Sequence, residues 1–157
     1  MTLTTHAFVG AALATLTTNP VGAFLLGVGS HFVIDAIPHG HYPLISFLRS
    51  DDPLKPYSRR ALVAIACDFA FAFLLPVFFF NSIVSLPTLL LAILGAILPD
   101  LLLGLDTYFS SRWSHAFMRF HERAHFFFFS QRAWHFPMPL ILATEFGVIF
   151  LSLISLL

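Results

Sequence analysis

From Ala61 to Phe80 the chain runs through twenty consecutive residues with one charged side chain, Asp68. A helix that crosses a bilayer needs about 20 mostly apolar residues. Leu86 to Phe109 is a second such run, holding Asp100 and, near its end, Asp106. Pro137 to Leu157 is a third, broken only by Glu145. A soluble domain carries about 25% charged residues, whereas this 157-residue chain has 10% and includes twenty Phe. A water-soluble core of this size cannot hide them all, but lipid can face them. The expectation is an all-α protein, a polytopic membrane helical bundle of about five helices with an additional interfacial helix. Residues 1–157 form a single membrane-embedded domain.

The N-terminal region supplies the other two helices. Ala7 to Ile34 carries no Lys, Arg, Asp or Glu, but Thr17-Thr18-Asn19-Pro20 in its middle is turn chemistry. The reading is a helix over Thr4 to Leu16 and another over Pro20 to Ala36, with Pro in the first turn of the second. The first is short for a full crossing and is expected to be re-entrant or tilted. Met1 to Gly10 has no Lys or Arg, so it lacks the charged start of a cleavable signal peptide, and the first helix is expected to be kept.

All eight Lys and Arg residues fall in two segments. Arg49, Lys55, Arg59 and Arg60 precede or open the third helix, and Arg112, Arg119, Arg123 and Arg132 follow the fourth. The connection from Asn81 to Leu86 is uncharged. Two basic loops around a neutral one follow the positive-inside pattern, so the basic loops are expected on the cytoplasmic side. Trp113, Trp134 and Tyr108 read as an interfacial belt. A net charge of zero gives no basic surface for nucleic acid. Cys67 stands alone, so no disulfide forms within the chain.

The informative residues are ionisable groups inside apolar runs, where charge is costly and marks function. They are His31, Asp35, Asp68, Asp100 and Glu145, with His6 at the start of the first helix. No Lys or Arg shares their depth, so protons, imidazoles or a bound cation must neutralise the acids. Asp68 and Asp100 lie about nine residues from cytoplasmic helix ends, roughly 13 Å. In steps of four, which share a helix face, the chain reads His6-Gly10-Ala14, Ala23-Gly27-His31-Asp35, Ala64-Asp68-Ala72 and Ala92-Ala96-Asp100-Gly104. Small residues mark close helix contacts in membranes, so these polar groups are expected to face one bundle interior. Glu145, with Ile141 and Ile149 at those offsets, fits less well.

Two segments carry ligand-type residues densely. His31 and Asp35 are one turn apart, Pro38 ends their helix, and Gly40 frees the backbone for His39 and His41 to fold back. Imidazole and carboxylate at that spacing suit zinc or a similar divalent ion. Further on, His121 and His125 stand at i, i+4 within His121-Glu122-Arg123-Ala124-His125. That pentad is spelled like a zinc-protease helix, but it sits in an arginine-rich interfacial segment, and His115 and His135 flank it.

The Thr5-His6 opening, the Ser30-His31-x-x-x-Asp35-x-x-Pro38-His39-Gly40 run and Leu98-Pro99-Asp100 resemble the bacterial inner-membrane metal-dependent hydrolases. These are small proteins distantly similar to zinc-dependent phospholipase C. Short motifs in order over most of the chain carry the likeness. The family's acidic motif often continues with a second Asp and a His, where this chain has Leu101 to Leu103. The resemblance implies an inner-membrane helical protein with a metal-dependent hydrolytic centre.

The resulting expectation is hydrolysis of a lipid or lipid-linked phosphoester from the cytoplasmic side. His6, His31, Asp35, His39, Asp100, His121 and His125 would be the metal ligands. The cofactor would be a divalent ion, zinc first and manganese as the alternative. Asp68 or Asp100 would act as catalytic base, and Arg119 and Arg123 would bind the substrate's phosphate. Membrane lipid and a lipid-like substrate are the expected partners, with a homo-oligomer open. A metal-ion or proton-coupled transporter is the rival, since intramembrane His and Asp also build relays. A non-enzymatic membrane assembly protein, its polar residues only joining helices, is the third reading.

Overall fold

The computed structural model describes residues 1–37, 57–106, 112–125 and 137–157, and the side chains of Asp106, Ser114 and His125 lie outside that description. The described residues form six helices and no strands: α1 (Leu3–Ala14), α2 (Pro20–Asp35), α3 (Arg59–Phe80), α4 (Leu86–Asp106), α5 (Arg112–His125) and α6 (Met138–Ile154). Two of them, α3 and α4, are long and apolar enough to cross a membrane.

The shortest helix is the central one. Packed against α2, α3, α4 and α6, α1 buries Thr5, His6, Ala7, Phe8, Gly10, Ala11 and Ala14. Those positions go right round the helix, as expected of a helix enclosed by others. Its twelve residues span about 18 Å, as short as the sequence implies. The turn to α2 forms where Thr17 to Pro20 place it. Asn19 caps α2, its side-chain oxygen accepting from the N–H of Val21 at 3.0 Å, and Pro20 occupies the first turn, where no N–H is needed. The hydroxyl of Ser58 caps α3 by accepting from the N–H of Ala61 at 3.1 Å.

The small-residue stripes are the contact lines. A methyl group on Gly10 would meet the Ala92 carbonyl oxygen and the Ala96 Cβ at 2.8 Å each. On Gly27 it would run into the Ala92 carbonyl, and on Gly95 into the Phe24 carbonyl. The backbones of α1, α2 and α4 therefore touch, and Ala23, Gly27, Ala92 and Ala96 are buried as the sequence pattern requires. The stripe on α3 differs. Ala72, Pro76 and Phe80 are buried, but Ala64 is exposed. The reason is that α1 begins level with Asp68, as the hydrogen bonds of its first residues show. The first turns of α3 extend past that end, and Ala64 has no α1 surface to meet.

Gly95→Ala is expected to destabilise the fold by about 1–3 kcal/mol, the usual cost of forcing a methyl group into a packed contact. Gly29→Ala is the control: among the described residues no atom outside its own stretch of helix stands within 4 Å of its added carbon, and alanine favours helix by about 1 kcal/mol. Thermal unfolding in detergent should lower the midpoint for the first and hold or raise it for the second.

Candidate metal centre

Helical bundles build metal sites from side chains on facing helices, and here four helices contribute. His6 comes from the second turn of α1, His31 and Asp35 from the last turns of α2, Asp100 from α4 and His121 from α5. The alternation of Gly and Ala with these residues lets the helices approach closely enough for their short side chains to meet.

Asp35 sits at the centre. Its Oδ2 is 3.1 Å from His31 Nε2 and 3.4 Å from His121 Nε2, while its Oδ1 is 3.2 Å from His6 Nε2 and 3.6 Å from the amino group of Met1. Asp100 lies across from it. Its Oδ1 is 3.7 Å from both His31 Nε2 and His121 Nε2, and its Oδ2 is 3.8 Å from His6 Nε2. His31 and His121 face each other with their Nε2 atoms 3.0 Å apart. Ligand atoms from His31, Asp35, Asp100 and His121 all lie within 4.8 Å of one another, a set that could hold a metal ion.

Second-sphere contacts set the direction of these groups. The Nδ1–H of His31 donates to the Ala96 carbonyl at 2.8 Å, because a carbonyl can only accept. Its Nε2 then carries a lone pair aimed at Asp35 and Asp100, the tautomer a metal ligand needs. Pro99 has no N–H to give to the turn of α4 before it, in the stretch that presents both the Ala96 carbonyl and Asp100. The rings of His6 and His31 stack 4.1 Å apart at 20°. Phe32 lies edge-on to His31 at 5.3 Å and beside His121 at 5.9 Å. Phe117 flanks His121 at 6.3 Å.

The donor set fits a divalent cation. Two carboxylates held this close repel each other, and burial raises the cost of their charge. The side chains of His6 and His31 are 0% exposed and that of Asp35 is 1%, yet Asp100 is 26% exposed. His6 Nδ1 is buried with no hydrogen-bond partner. These nitrogen and oxygen donors, open on the Asp100 side, could hold a metal ion.

Asp68 and Glu145 stand elsewhere. Asp68 accepts from the N–H of Leu3 at 2.8 Å, the N–H of Thr4 at 3.1 Å and the hydroxyl of Thr4 at 2.7 Å. Glu145 accepts from the N–H of Thr2 at 3.2 Å, from the Thr2 hydroxyl at 3.0 Å, and through a short bond from the Thr5 hydroxyl. A helix starts with four N–H groups that have no partner within it, and at the start of α1 Thr2 is exposed while Leu3 and Thr4 are half-buried. The two acids supply the acceptors, and their charge lies favourably at the positive end of the helix dipole. The sequence offered Asp68 as a base; its acceptor sites are engaged by α1 instead. Glu145, which fitted the stripes poorly, has a structural partner that the stripes could not show.

The remaining expected residues divide. Asp100 joins the cluster, so its place as ligand or base is geometrically open. His121 joins it as well, while the side chain of His125 lies outside the described residues, as does His39. Arg119 and Arg123 are exposed. Each is two positions from His121, and residues two apart on a helix do not share a face. They sit on the outer side of α5, away from the cluster. Sequence reasoning missed the Ala96 carbonyl as an anchor for His31, although its place in the alanine stripe one turn before Asp100 marks it as facing α2.

Comparison with known proteins finds no family model, no curated protein and no solved structure that matches this chain.

Proposed function

We propose that the protein is a membrane-embedded, metal-dependent hydrolase that acts on a lipid or lipid-linked phosphoester from the cytoplasmic side. The observation that carries the reading is the convergence of His31, Asp35, Asp100 and His121 on one buried point, with His6 beside it.

The membrane location draws support from the surfaces. On α3, Phe78 is 74% exposed and Leu74 65%, and on α6 Phe146 and Leu151 are each 67% exposed. Apolar patches this continuous belong against a partner or lipid. With α5 taken as the interfacial helix, Arg119 and Arg123 point to the headgroup layer and His121 points inward. These arginines then hold the membrane surface, or a headgroup at the rim, rather than a phosphate at the centre. The resemblance to the bacterial inner-membrane hydrolases supports the inner membrane as location, and the positive-inside pattern supports the basic loops as cytoplasmic.

His31, Asp35, Asp100 and His121 would hold the ion, with zinc or manganese as the candidates. When bound, such an ion lowers the pKa of a coordinated water towards neutrality and polarises a phosphoryl oxygen. The chain's own part is to fix the donors, exclude bulk water with Phe32 and Phe117, and leave the Asp100 side open for substrate. Asp100, with 26% of its side chain exposed, is the ligand that would lie nearest an incoming substrate.

The test is turnover of phospholipid and prenyl-phosphate substrates by purified protein, with and without chelator and re-added zinc or manganese. The reading expects metal-dependent phosphate-ester cleavage, lost in Asp35→Ala. Metal flux into proteoliposomes without any cleavage would replace it with the transporter reading. Neither activity in metal-loaded protein would leave an assembly role.

A further inference from the structure

We propose that the cluster holds a pair of divalent cations bridged by Asp35 and Asp100, one on the His31–His121 side and one on the His6 side. The inference rests on the metal-centre reading above and goes beyond its single set of four ligands.

The carboxylate oxygens sort themselves by neighbour. Asp35 gives Oδ2 to His31 and His121 and Oδ1 to His6. Asp100 gives Oδ1 to His31 and His121 and Oδ2 to His6. Neither acid directs both oxygens to the same imidazoles. Two carboxylates that each span two donor sets are the arrangement of a bridged two-metal centre. A single ion held by both acids would leave the Oδ1 of Asp35 to His6 and the Met1 amino group, 3.2 and 3.6 Å away, and the Oδ2 of Asp100 to His6 alone at 3.8 Å.

The distances agree. Two donors each about 2.0–2.1 Å from zinc at a tetrahedral angle stand roughly 3.3–3.4 Å apart. The five spacings given for the His31–His121 side are 3.0, 3.1, 3.4, 3.7 and 3.7 Å, centred on that value. On the His6 side the spacings are 3.2 and 3.8 Å. The rings of His6 and His31 stack at 4.1 Å and 20°, and their Nε2 atoms stand 3.2 and 3.1 Å from the two different oxygens of Asp35. Two-metal centres hold their ions about 3.5–4 Å apart, so each stacked ring serves its own ion.

The two positions differ in kind. The His31–His121 side has two nitrogens and two oxygens, a complete tetrahedral set that leaves no place for substrate. Among the described residues the His6 side has one imidazole nitrogen and two carboxylate oxygens, with the Met1 amino group 3.6 Å from one of those oxygens, and it abuts Asp100, the ligand with 26% of its side chain exposed. Metal sites with three protein ligands keep a position for water or substrate. The ion beside His6 is therefore the one that meets a phosphoester, and the other ion anchors the bridge.

Manganese-loaded full-length protein, freed of loose metal, tests the pair by elemental analysis and electron paramagnetic resonance. Two equivalents with an exchange-coupled spectrum are expected in wild type. His6→Ala should retain one equivalent and give the six-line signal of isolated manganese, and His6→Gln, closer in size, should do the same if the alanine variant folds poorly. One equivalent in wild type, unchanged in the His6 variants, overturns the pair and leaves the metal centre intact. Two uncoupled ions overturn the bridge, and two equivalents retained without His6, or both ions lost from a folded His6→Gln protein, overturn the assignment of His6 to one ion. No metal in folded wild type defeats the pair and the hydrolase reading together.

Discussion

His31→Ala is expected to lower metal affinity by at least about 100-fold, the upper end of what loss of even an outer-sphere partner costs, and to abolish turnover. His31 is the most connected imidazole in the cluster. Its Nε2 faces Asp35 at 3.1 Å, Asp100 at 3.7 Å and His121 at 3.0 Å, while its Nδ1 is anchored on the Ala96 carbonyl at 2.8 Å. Removing it takes away a ligand, the partner that orients His121, and the ring against which His6 stacks. The substitution also leaves a cavity where α2 meets α4, so unfolding must be followed beside metal content. His31→Gln separates the two effects: it fills most of the space and supplies a poor ligand, so it should keep the unfolding midpoint near wild type and still lose the metal. Retention of metal at wild-type affinity by both variants would remove His31 from the centre.

The second large effect is on folding. Asp68→Ala is expected to destabilise the protein by about 1–3 kcal/mol, because it takes an acceptor from two half-buried backbone N–H groups and a hydroxyl at once, and a donor left without a partner costs about that much when buried. The loss falls on the start of α1, the helix enclosed by the others, and so also displaces His6, two residues beyond Thr4. Asp68→Asn keeps a carbonyl oxygen to accept with and gives up only the charge at the helix dipole, worth about 0.3–2 kcal/mol. It should fold, bind metal and turn over. That variant separates the structural role from the catalytic one: normal stability and metal content with no turnover in Asp68→Asn would restore Asp68 as the base. Thermal unfolding in detergent, metal content and turnover on the same preparations give the answer.

Much of this arrangement was legible in the chain, and what was hidden has physical causes. His31 and Asp35 could be paired from their spacing alone, because a helix places i and i+4 together. Gly10, Gly27, Ala92 and Ala96 could be assigned to contacts because small side chains have few other uses at a membrane helix interface. The turn at Asn19-Pro20 was readable from local capping chemistry. The clamp formed by Asp68 and Glu145 was not, since it joins residues 65 and 143 positions apart and no local pattern encodes such a pairing. A signal did exist. Leu3 to Ala14 starts with no acid in its first turn, and the first N–H groups of any helix need acceptors from outside it. Four acids in or beside the apolar runs had no Lys or Arg at their depth, and Asp68 and Glu145 were two of them. The sequence put His121 at the centre as a metal ligand and Arg119 and Arg123 there as phosphate binders, and the helical period separates them: His121 is buried while Arg119 and Arg123 are exposed.

The measurement that goes straight to the metal centre is X-ray absorption at the metal edge of zinc-loaded, detergent-purified protein. Ligation by the His and Asp cluster predicts a first shell of nitrogen and oxygen at about 2.0–2.2 Å with the outer-shell scattering of imidazole rings, and no sulfur at about 2.3 Å. The imidazole signal should weaken in His121→Ala. A shell containing sulfur would place the ion at the exposed Cys67. A shell of oxygens without imidazole, or protein that folds and binds no metal, would contradict the centre described here.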